Sequence, residues 1–295
     1  AAAQLCLTQS AVSRQIQALE DEVGAPLFLR HTRAVELTAA GALLLQAVAQ
    51  ALPRIDTAVR QIRQSAGRRH VTVTTFASFA SMWLIPRLEA FQREFPDIDI
   101  RIEASDTMLD LEVADVDLAV RYAPVARVPT GARRLFGESV TVMASPWLLK
   151  AGPALRRPAD VLQYTLIESG DAYAPHLAWL SWHRWLEAND LAKQQPKRWL
   201  TLNYAYQMVQ AALTGQGLVL ARPPLVADAL ARGELVELLP QTRLHSPLAY
   251  WLMLAPRSAA RPEVKAFADW VLAQAVATRQ VIGEGDDPDL VNDLD

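Results

Sequence analysis

The sequence predicts an α/β protein: a small, mainly helical front, one long helix, and a larger body in which strands and helices alternate. Three observations lead there. Apolar residues recur at helical spacing over the first sixty-odd positions. From Val71 onward, short β-branched runs alternate with helical stripes, the pattern of an α/β sheet protein with mostly parallel strands. The charge also divides: residues 1–70 hold 8 Lys+Arg against 5 Asp+Glu, a balance of +3, and the rest hold 21 against 27, a balance of −6. A basic front on an acidic body implies different partners for the two parts.

Composition excludes several classes. With 295 residues, 51% of them hydrophobic and 21% charged, the chain is globular and long enough for two or three compact units. No apolar run approaches the ~18 residues of a membrane span. The single Cys6 excludes a disulfide framework and a cysteine-rich zinc site, which fits a cytoplasmic location, and Cys6 itself reads as a small buried hydrophobe. The chain opens at Ala1 inside a helical run, with neither an initiator Met nor a signal peptide, and residues 281–295 read as a disordered acidic tail.

Taken in order, Ala1–Leu5 is helix-forming, and Cys6-Leu7 breaks the run. Thr8 stands as the N-cap of a second helix, and Val12, Ile16, Leu19 and Val23 form its apolar stripe up to a stop at Gly24. The opposite face carries Gln9, Ser13, Arg14 and Gln17. Two short helices of which the second presents donors suit base edges and phosphates, although periodicity alone equally fits a solvated amphipathic helix. Leu27–Thr38 reads as a small hairpin, a wing whose Arg30 and Arg33 reach toward phosphates or the minor groove. Thr38 then caps a third helix. Its Leu44, Val48, Ala51, Ile55, Ala58 and Ile62 are spaced as a heptad seam, suited to packing on a second copy, with the protein's own body as the alternative partner. Pro53 should kink or split this helix.

In the body, strands are expected at Val71–Thr75, Asp97–Ile102, Leu118–Val120, Val140–Ala144, Tyr164–Glu168, Trp199–Leu202, Leu218–Ala221 and Tyr250–Ala255. Helices are expected at Met82–Phe95, from Pro146, at Leu180–Ala188, Tyr204–Thr214, Pro224–Ala231 and Pro262–Thr278. Ligands of such folds bind where strand carboxyl ends lead into helices. Those loops offer Ser78, Phe79 and Ser81 after the first strand, Ser105 and Thr107 after the second, and Arg121 and Tyr122 after the third. Glu168 and Ser169, and Asn203 and Tyr204, hold equivalent places further on. Arg121 suits a carboxylate and Glu168 an ammonium. Each of these residues taken singly could instead be a local cap; convergence of five loops favours a polar cleft.

Enzyme signatures are weak. Gly215-Gln216-Gly217 lacks a third glycine and precedes a strand, so it is no dinucleotide loop. Trp179, Trp182 and Trp185 share a helix face and read as packing. The five histidines show no metal-ligand spacing, and no nucleophile elbow appears, so no metal, cofactor or catalytic residue is expected.

The run Thr8–Gly41, with its Ser-Ala-Val-Ser-Arg-Gln-Ile core, Leu-Phe-x-Arg-x-x-Arg wing and Leu-Thr-x-Ala-Gly helix start, resembles the DNA-binding part of LysR-type transcriptional regulators. Trp83–Leu88, Phe95–Ile98 and the run Ala211–Leu220 are similar to the effector domain of the subgroup that includes glycine-cleavage and β-lactamase regulators. The resemblance spans about 280 residues. It implies a winged helix-turn-helix at 1–39, a linker and dimerisation helix at 40–69, and a two-lobed effector domain at 70–280 like a type 2 periplasmic binding protein. Lobe I would be 70–144 and 248–280, and lobe II 145–247, with crossings near Ala144–Pro146 and Pro247–Trp251. The family has one more helix ahead of the position of Ala1, which is expected to be missing here. The implied partners are double-stranded promoter DNA, a small effector (an amino acid or carboxylate) and a second copy, with dimers pairing into a homotetramer. On that reading Thr8, Gln9, Ser10, Ser13 and Gln17 meet bases or nearby phosphates, and Arg14, Arg30 and Arg33 meet phosphates. The rival readings are a solute-binding protein of a transport system, which has no use for residues 1–66, and an enzyme built on the α/β body.

Overall fold

A computed structural model describes residues 8–30, 35–64, 69–105, 110–111, 114–170 and 180–285, without the side chains of residues 30, 50, 53–54, 56–58 and 60–64. Cys6, Arg33, Thr107, Trp179 and the tail from residue 286 lie outside the described residues. The chain divides into two compact units, Ala1–Gly67 and Arg68–Asp295.

In the first unit, helix α1 (Gln9–Val23) begins where the Thr8 hydroxyl accepts the Ala11 N–H at 3.3 Å and ends at Gly24, whose φ of +73° only glycine adopts without strain. The Glu20 carboxylate accepts the N–H groups of Leu27 (2.6 Å) and Phe28 (3.1 Å), tying the hairpin to α1. Strands β1 (Phe28–Arg30) and β2 (Val35–Leu37) pair antiparallel, as the wing reading required. The Thr38 hydroxyl then accepts the Gly41 N–H at 3.0 Å and starts α2 (Ala39–Gln64). A Cβ on Gly41 would stand 2.0 Å from the Leu27 carbonyl oxygen, so only glycine lets the long helix close on the wing. α2 runs unbroken past Pro53, so of the two outcomes expected there the split does not occur. One missing N–H removes one rung, and the ladder continues on either side.

The second unit runs β3 (Arg69–Thr75), α3 (Ala77–Phe79), a π-helical turn (Ala80–Leu84), α4 (Ile85–Glu94), β4 (Ile98–Ala104), β5 (Leu118–Pro124), β6 (Arg133–Ala144), α5 (Pro146–Ala151), β7 (Thr165–Ser169) and α6 (Trp182–Ala188). It continues with β8 (Arg198–Leu202), α7 (Ala205–Leu213), β9 (Leu218–Ala221), α8 (Pro223–Ala231), β10 (Val236–Leu238), β11 (Leu244–Leu254) and α9 (Pro262–Ile282). The strand order is β4-β3-β5-β11-β6-β9-β7-β8, with β10 also on β6. Pairs within β4-β3-β5 and within β9-β7-β8 are parallel, but every pair made by β6 and β11 is antiparallel, so the sheet is mixed rather than mostly parallel.

Strands β6 and β11 join two halves. Arg133–Gly137 pair with β11 beside β5, whereas Thr141–Met143 pair with β9. On β11 the register slips between His245 and Ala249, opposite Ser139 and Gly137. β6 runs unbroken through both pairing zones, which change over at Gly137–Ser139, and β11 makes the matching change across Ser246–Leu248.

Each half has its own core. The first is aromatic: Phe79 lies 4.9 Å from Trp83 and 5.6 Å from Tyr250, and Phe91 lies 5.0 Å from Phe267. The second centres on Trp182 and Trp185, both fully buried, with the Trp182 indole N–H donating to the Ile167 carbonyl. Buried Asp117 staples the first half together: its carboxylate accepts the Thr72 N–H (2.8 Å), the Ser258 hydroxyl (2.6 Å) and an Arg261 N–H (2.6 Å). The last helix continues past the expected Thr278 to Ile282, and Glu284 accepts the Gly137 N–H at 2.9 Å and pairs with Arg134. The first residues of the supposed tail thus belong to the fold.

Candidate nucleic-acid interface and effector cleft

Helix α1 presents Gln9, Ser10, Arg14 and Gln17 to solvent, with Ser13 half-buried beside them. Thr8 is engaged as the cap. Arg14 bends back to the Ser10 carbonyl at 3.4 Å, and Gln17 donates to Asp21 at 3.1 Å; both are weak exposed contacts that a ligand can replace. Residues 9–19 contain no acid, so the amino-terminal half of the helix is a run of donors with nothing to repel phosphate. Arg30 sits in β1, where its backbone pairs with Val35, though its side chain, like Arg33, lies outside the described residues. Along α2, Val48 (39%), Ala51 and Ile55 (57%) are exposed and Leu44 is half-buried, while the side chains of Ala58 and Ile62 are not described.

The residues expected in the cleft separate into three groups. Ser78 and Tyr122 gather near the crossing. The Ser78 hydroxyl accepts the Tyr206 N–H at 3.3 Å, linking α3 to α7 across the halves, and the Tyr122 hydroxyl bonds Ser246 at 2.8 Å. Asn203, Tyr204 and Ser169 sit at the carboxyl ends of β8 and β7, with Tyr204 stacked on Tyr206 at 5.5 Å. Ser105 follows β4, its N–H donated to Thr75.

Three of the expected residues are engaged by the scaffold. Phe79 is buried among Trp83, Phe136 and Tyr250 as part of the aromatic core. Arg121 is 3% exposed, and its guanidinium donates to the Thr74 hydroxyl (2.8 Å) and the Val120 carbonyl over the Phe76 ring, so it is built into the sheet. Glu168 accepts the Ser169 and Trp182 N–H groups at 2.9 and 2.8 Å, serving the start of α6 rather than an ammonium; burial raises its carboxyl above the usual range despite those bonds. Ser81 is exposed at the rim of a separate groove of about 820 Å³, walled by Met82, Leu202, Val209 and Val226.

Sequence reasoning missed a buried polar cluster at the crossing. Glu138, on β6 between the two pairing zones, holds Arg222 at 3.1 Å and receives the Tyr250 hydroxyl at 2.9 Å. Arg222 also donates to the Tyr250 oxygen at 3.2 Å and lies over the Tyr122 ring. Burial pushes the Glu138 carboxyl up to about 7, against the pull of Arg222 and Tyr250. Burial works against the Arg222 charge, yet Glu138 raises it above the ordinary arginine value. Arg222 ends a strand exactly as Arg121 does in sequence terms, so the strand-end rule that singled out Arg121 would have found it too. Among the described residues, no three His, Cys, Asp or Glu side chains form a metal site.

Comparison with known proteins places this geometry. Residues 1–42 match the bacterial regulatory helix-turn-helix protein, lysR family, and residues 64–276 match the LysR substrate binding domain. The glycine cleavage system transcriptional activator of Escherichia coli (strain K12) is 32% identical over 284 residues, covering 95% of this chain and 89% of that one. The HTH-type transcriptional activator AmpR of Pseudomonas aeruginosa is 32% identical over 276 residues, covering 93% and 89%. Among solved structures, the effector domain of AmpR of Pseudomonas aeruginosa superposes with a TM-score of 0.55 at 28% identity, covering 73% of this chain and all of that one. The LysR-type regulator CrgA of Neisseria meningitidis shares the fold at a TM-score of 0.54 and 22% identity, covering 93% and 92%. The donor-bearing helix with its hairpin, the long helix and the α/β unit, matched by the family models over residues 1–42 and 64–276 and by regulators 32% identical along nearly the whole chain, establish that the chain belongs to the LysR family of bacterial transcriptional regulators.

Proposed function

We propose that α1 enters the major groove of promoter DNA, that α2 pairs two copies, and that a small polar ligand at the crossing of β6 and β11 sets how the paired chains engage DNA. Gln9, Ser10, Ser13 and Gln17 meet base edges or neighbouring phosphates, and Arg14 and the two wing arginines meet the backbone. The observation that carries the reading is the acid-free donor face of α1 in a segment matched to the LysR helix-turn-helix. Dimers read two half-sites about one helical turn or a multiple apart, and two dimers combine into a tetramer. Cytoplasmic residence follows from a DNA target, and no helix among the described residues is long and apolar enough to cross a membrane.

The two halves of the second unit meet at Gly137–Ser139 and Ser246–Leu248, and this is where we set the lobe boundary. The Ser78–Tyr206 bond spans it, so a ligand displacing that bond changes the relation of the halves. For a switch, the ligand must favour one arrangement by its own contacts. The test is a mobility shift of the DNA upstream of the protein's own gene, with and without compounds found by thermal shift. Ligand-dependent change of the shifted band is expected. No binding to any upstream fragment would refute the regulator reading, and binding unaffected by every stabilising compound would refute the gating.

A further inference from the structure

Within the ligand-gated reading just proposed, the cation that holds the effector remains to be assigned. Arg121 is spent inside the sheet. Arg222 is not. It follows β9 at the head of α8, and its side chain keeps 19% of its surface open. Its Nε faces Glu138, one terminal nitrogen donates to Tyr250, and the second terminal nitrogen makes no bond among the described residues. One face of the guanidinium lies on Tyr122, whose hydroxyl is paired with the half-buried Ser246.

A guanidinium held by two of its nitrogens and still partly exposed is a preorganised anion receptor: its rotamer entropy is already spent, and one terminal nitrogen keeps its N–H groups for a ligand. The inner edge is itself unusual. Glu138 is fully buried, and its second oxygen has no hydrogen-bond partner among the described residues. A structural ion pair normally satisfies both carboxylate oxygens. This one leaves an oxygen unpaired to hold an arginine at the seam where β6 changes partners and β11 slips register.

We propose that Arg222 is the effector-binding cation of this protein, that the effector presents a carboxylate to it beside the hydroxyls of Tyr122 and Ser246, and that Glu138 and Tyr250 are the positioning residues that aim it. Charge coupling follows. Glu138 faces Arg222 from α8, Tyr250 from β11 and, behind the guanidinium, Tyr122 from β5; the Arg134–Glu284 pair sits at the neighbouring Gly137 N–H, and His245 lies opposite Ser139. An anion on Arg222 weakens the pull of that arginine on the Glu138 proton, so the Glu138 carboxyl rises from its value of about 7 as the ligand binds. Binding then takes up a proton, and affinity for the carboxylate increases as the pH falls through that region.

The experiment uses the full chain and a thermal-shift titration at constant ionic strength. Acetate, succinate and glycine are the carboxylate probes, and ethylamine and acetamide are the matched cation and neutral controls. The expected result is stabilisation by at least one carboxylate, about 5 °C at a hundredfold excess over Kd, with no response to ethylamine or acetamide. In Arg222→Gln the carboxylate concentration for half the shift rises at least tenfold, and Arg222→Lys, which keeps the charge without the fork, recovers part of the loss. Glu138→Gln folds with the same hydrogen-bonding shape and loses the pH dependence of the carboxylate affinity while keeping part of that affinity. Circular dichroism verifies folding of each variant; where Arg222→Gln fails to fold, the lysine and Glu138→Gln variants decide. Stabilisation by the amine or amide instead, the absence of any carboxylate response, or a response untouched in Arg222→Gln and Arg222→Lys overturns the assignment. Binding to the upstream DNA is read in the same samples without any probe, so failure of the regulator reading shows separately from failure of Arg222.

Discussion

Asp at positions 48 and 55 should take the paired chains apart. Val48 and Ile55 lie on the α2 seam and are 39% and 57% exposed in the single chain. Full burial of a Val or Ile side chain is worth ~1.5–3 kcal/mol, so roughly half of that, about 1 kcal/mol per residue, is still to be gained when the seam meets a partner. A symmetric pair buries each residue twice, which makes the total about 4 kcal/mol. Removing it weakens dimerisation by about 10³-fold at 1.4 kcal/mol per decade, before counting the cost of bringing four carboxylates together. Helix propensity changes little between Val, Ile and Asp, so α2 itself should survive. Sedimentation velocity over a dilution series of the full chain measures the effect for Val48→Asp with Ile55→Asp. Leu43→Asp is the control: Leu43 is 71% exposed and lies off the seam, so its substitution should leave the dimer within a few-fold of the parent. A double variant that sediments as the parent does at every concentration would refute the seam as the dimer contact.

Four further outcomes are expected. Arg14→Ala should weaken binding to upstream DNA and reduce the slope of log affinity against log salt by about one, and an unchanged slope would remove Arg14 from the phosphate contacts. Gly41→Val drives a side chain into the Leu27 carbonyl, so it should destabilise the first unit by about 1–3 kcal/mol and abolish DNA binding, whereas retained binding would show that the wing and α2 can separate harmlessly. Asp117→Ala leaves the buried Thr72 N–H and Ser258 hydroxyl without their acceptor and takes one of two carboxylate partners from Arg261, which keeps Glu263, a loss of about 1–3 kcal/mol in urea unfolding, with Asp117→Asn closer to the parent because it keeps one acceptor oxygen. Glu168 has a folded-state pKa raised by burial, so its favourable contribution is largest below the unfolded carboxylate value and falls as pH rises through the folded one; the stability of the parent relative to Glu168→Gln should decline as pH rises above the ordinary carboxylate range, and a constant difference would contradict the burial effect.

The elements easiest to read from sequence were those whose chemistry is local. Thr8 and Thr38 cap their helices through their own hydroxyls, Gly24 needs positive φ, and β9 is an apolar run that matches Leu218–Ala221 residue for residue. The misreadings share a different cause: the deciding contact lies far away in the chain. The first half of β6 carries Arg133, Arg134, Gly137 and Glu138, which look like a loop until Glu284 and Arg222 supply their partners. Pro247 hid the start of β11, although a proline is tolerated where the register slips and no ladder N–H is needed. In the cleft, a strand-end position told which residues were near the crossing but not which way they turned. Arg121 proves to lie in the middle of β5, and both it and Glu168 bond to the scaffold around them, contacts that depend on residues far away in the chain, as does the cluster around Arg222.

The continuity of β6 and β11 through both halves has a mechanical consequence. The halves share two neighbouring antiparallel strands, and bending across them is resisted by the ladder on each side of Gly137–Ser139 and Ser246–Leu248. Neither half can lose its share of these two strands without stripping the ladder from the other, so the second unit should melt as one cooperative body, with calorimetric and van't Hoff enthalpies in agreement.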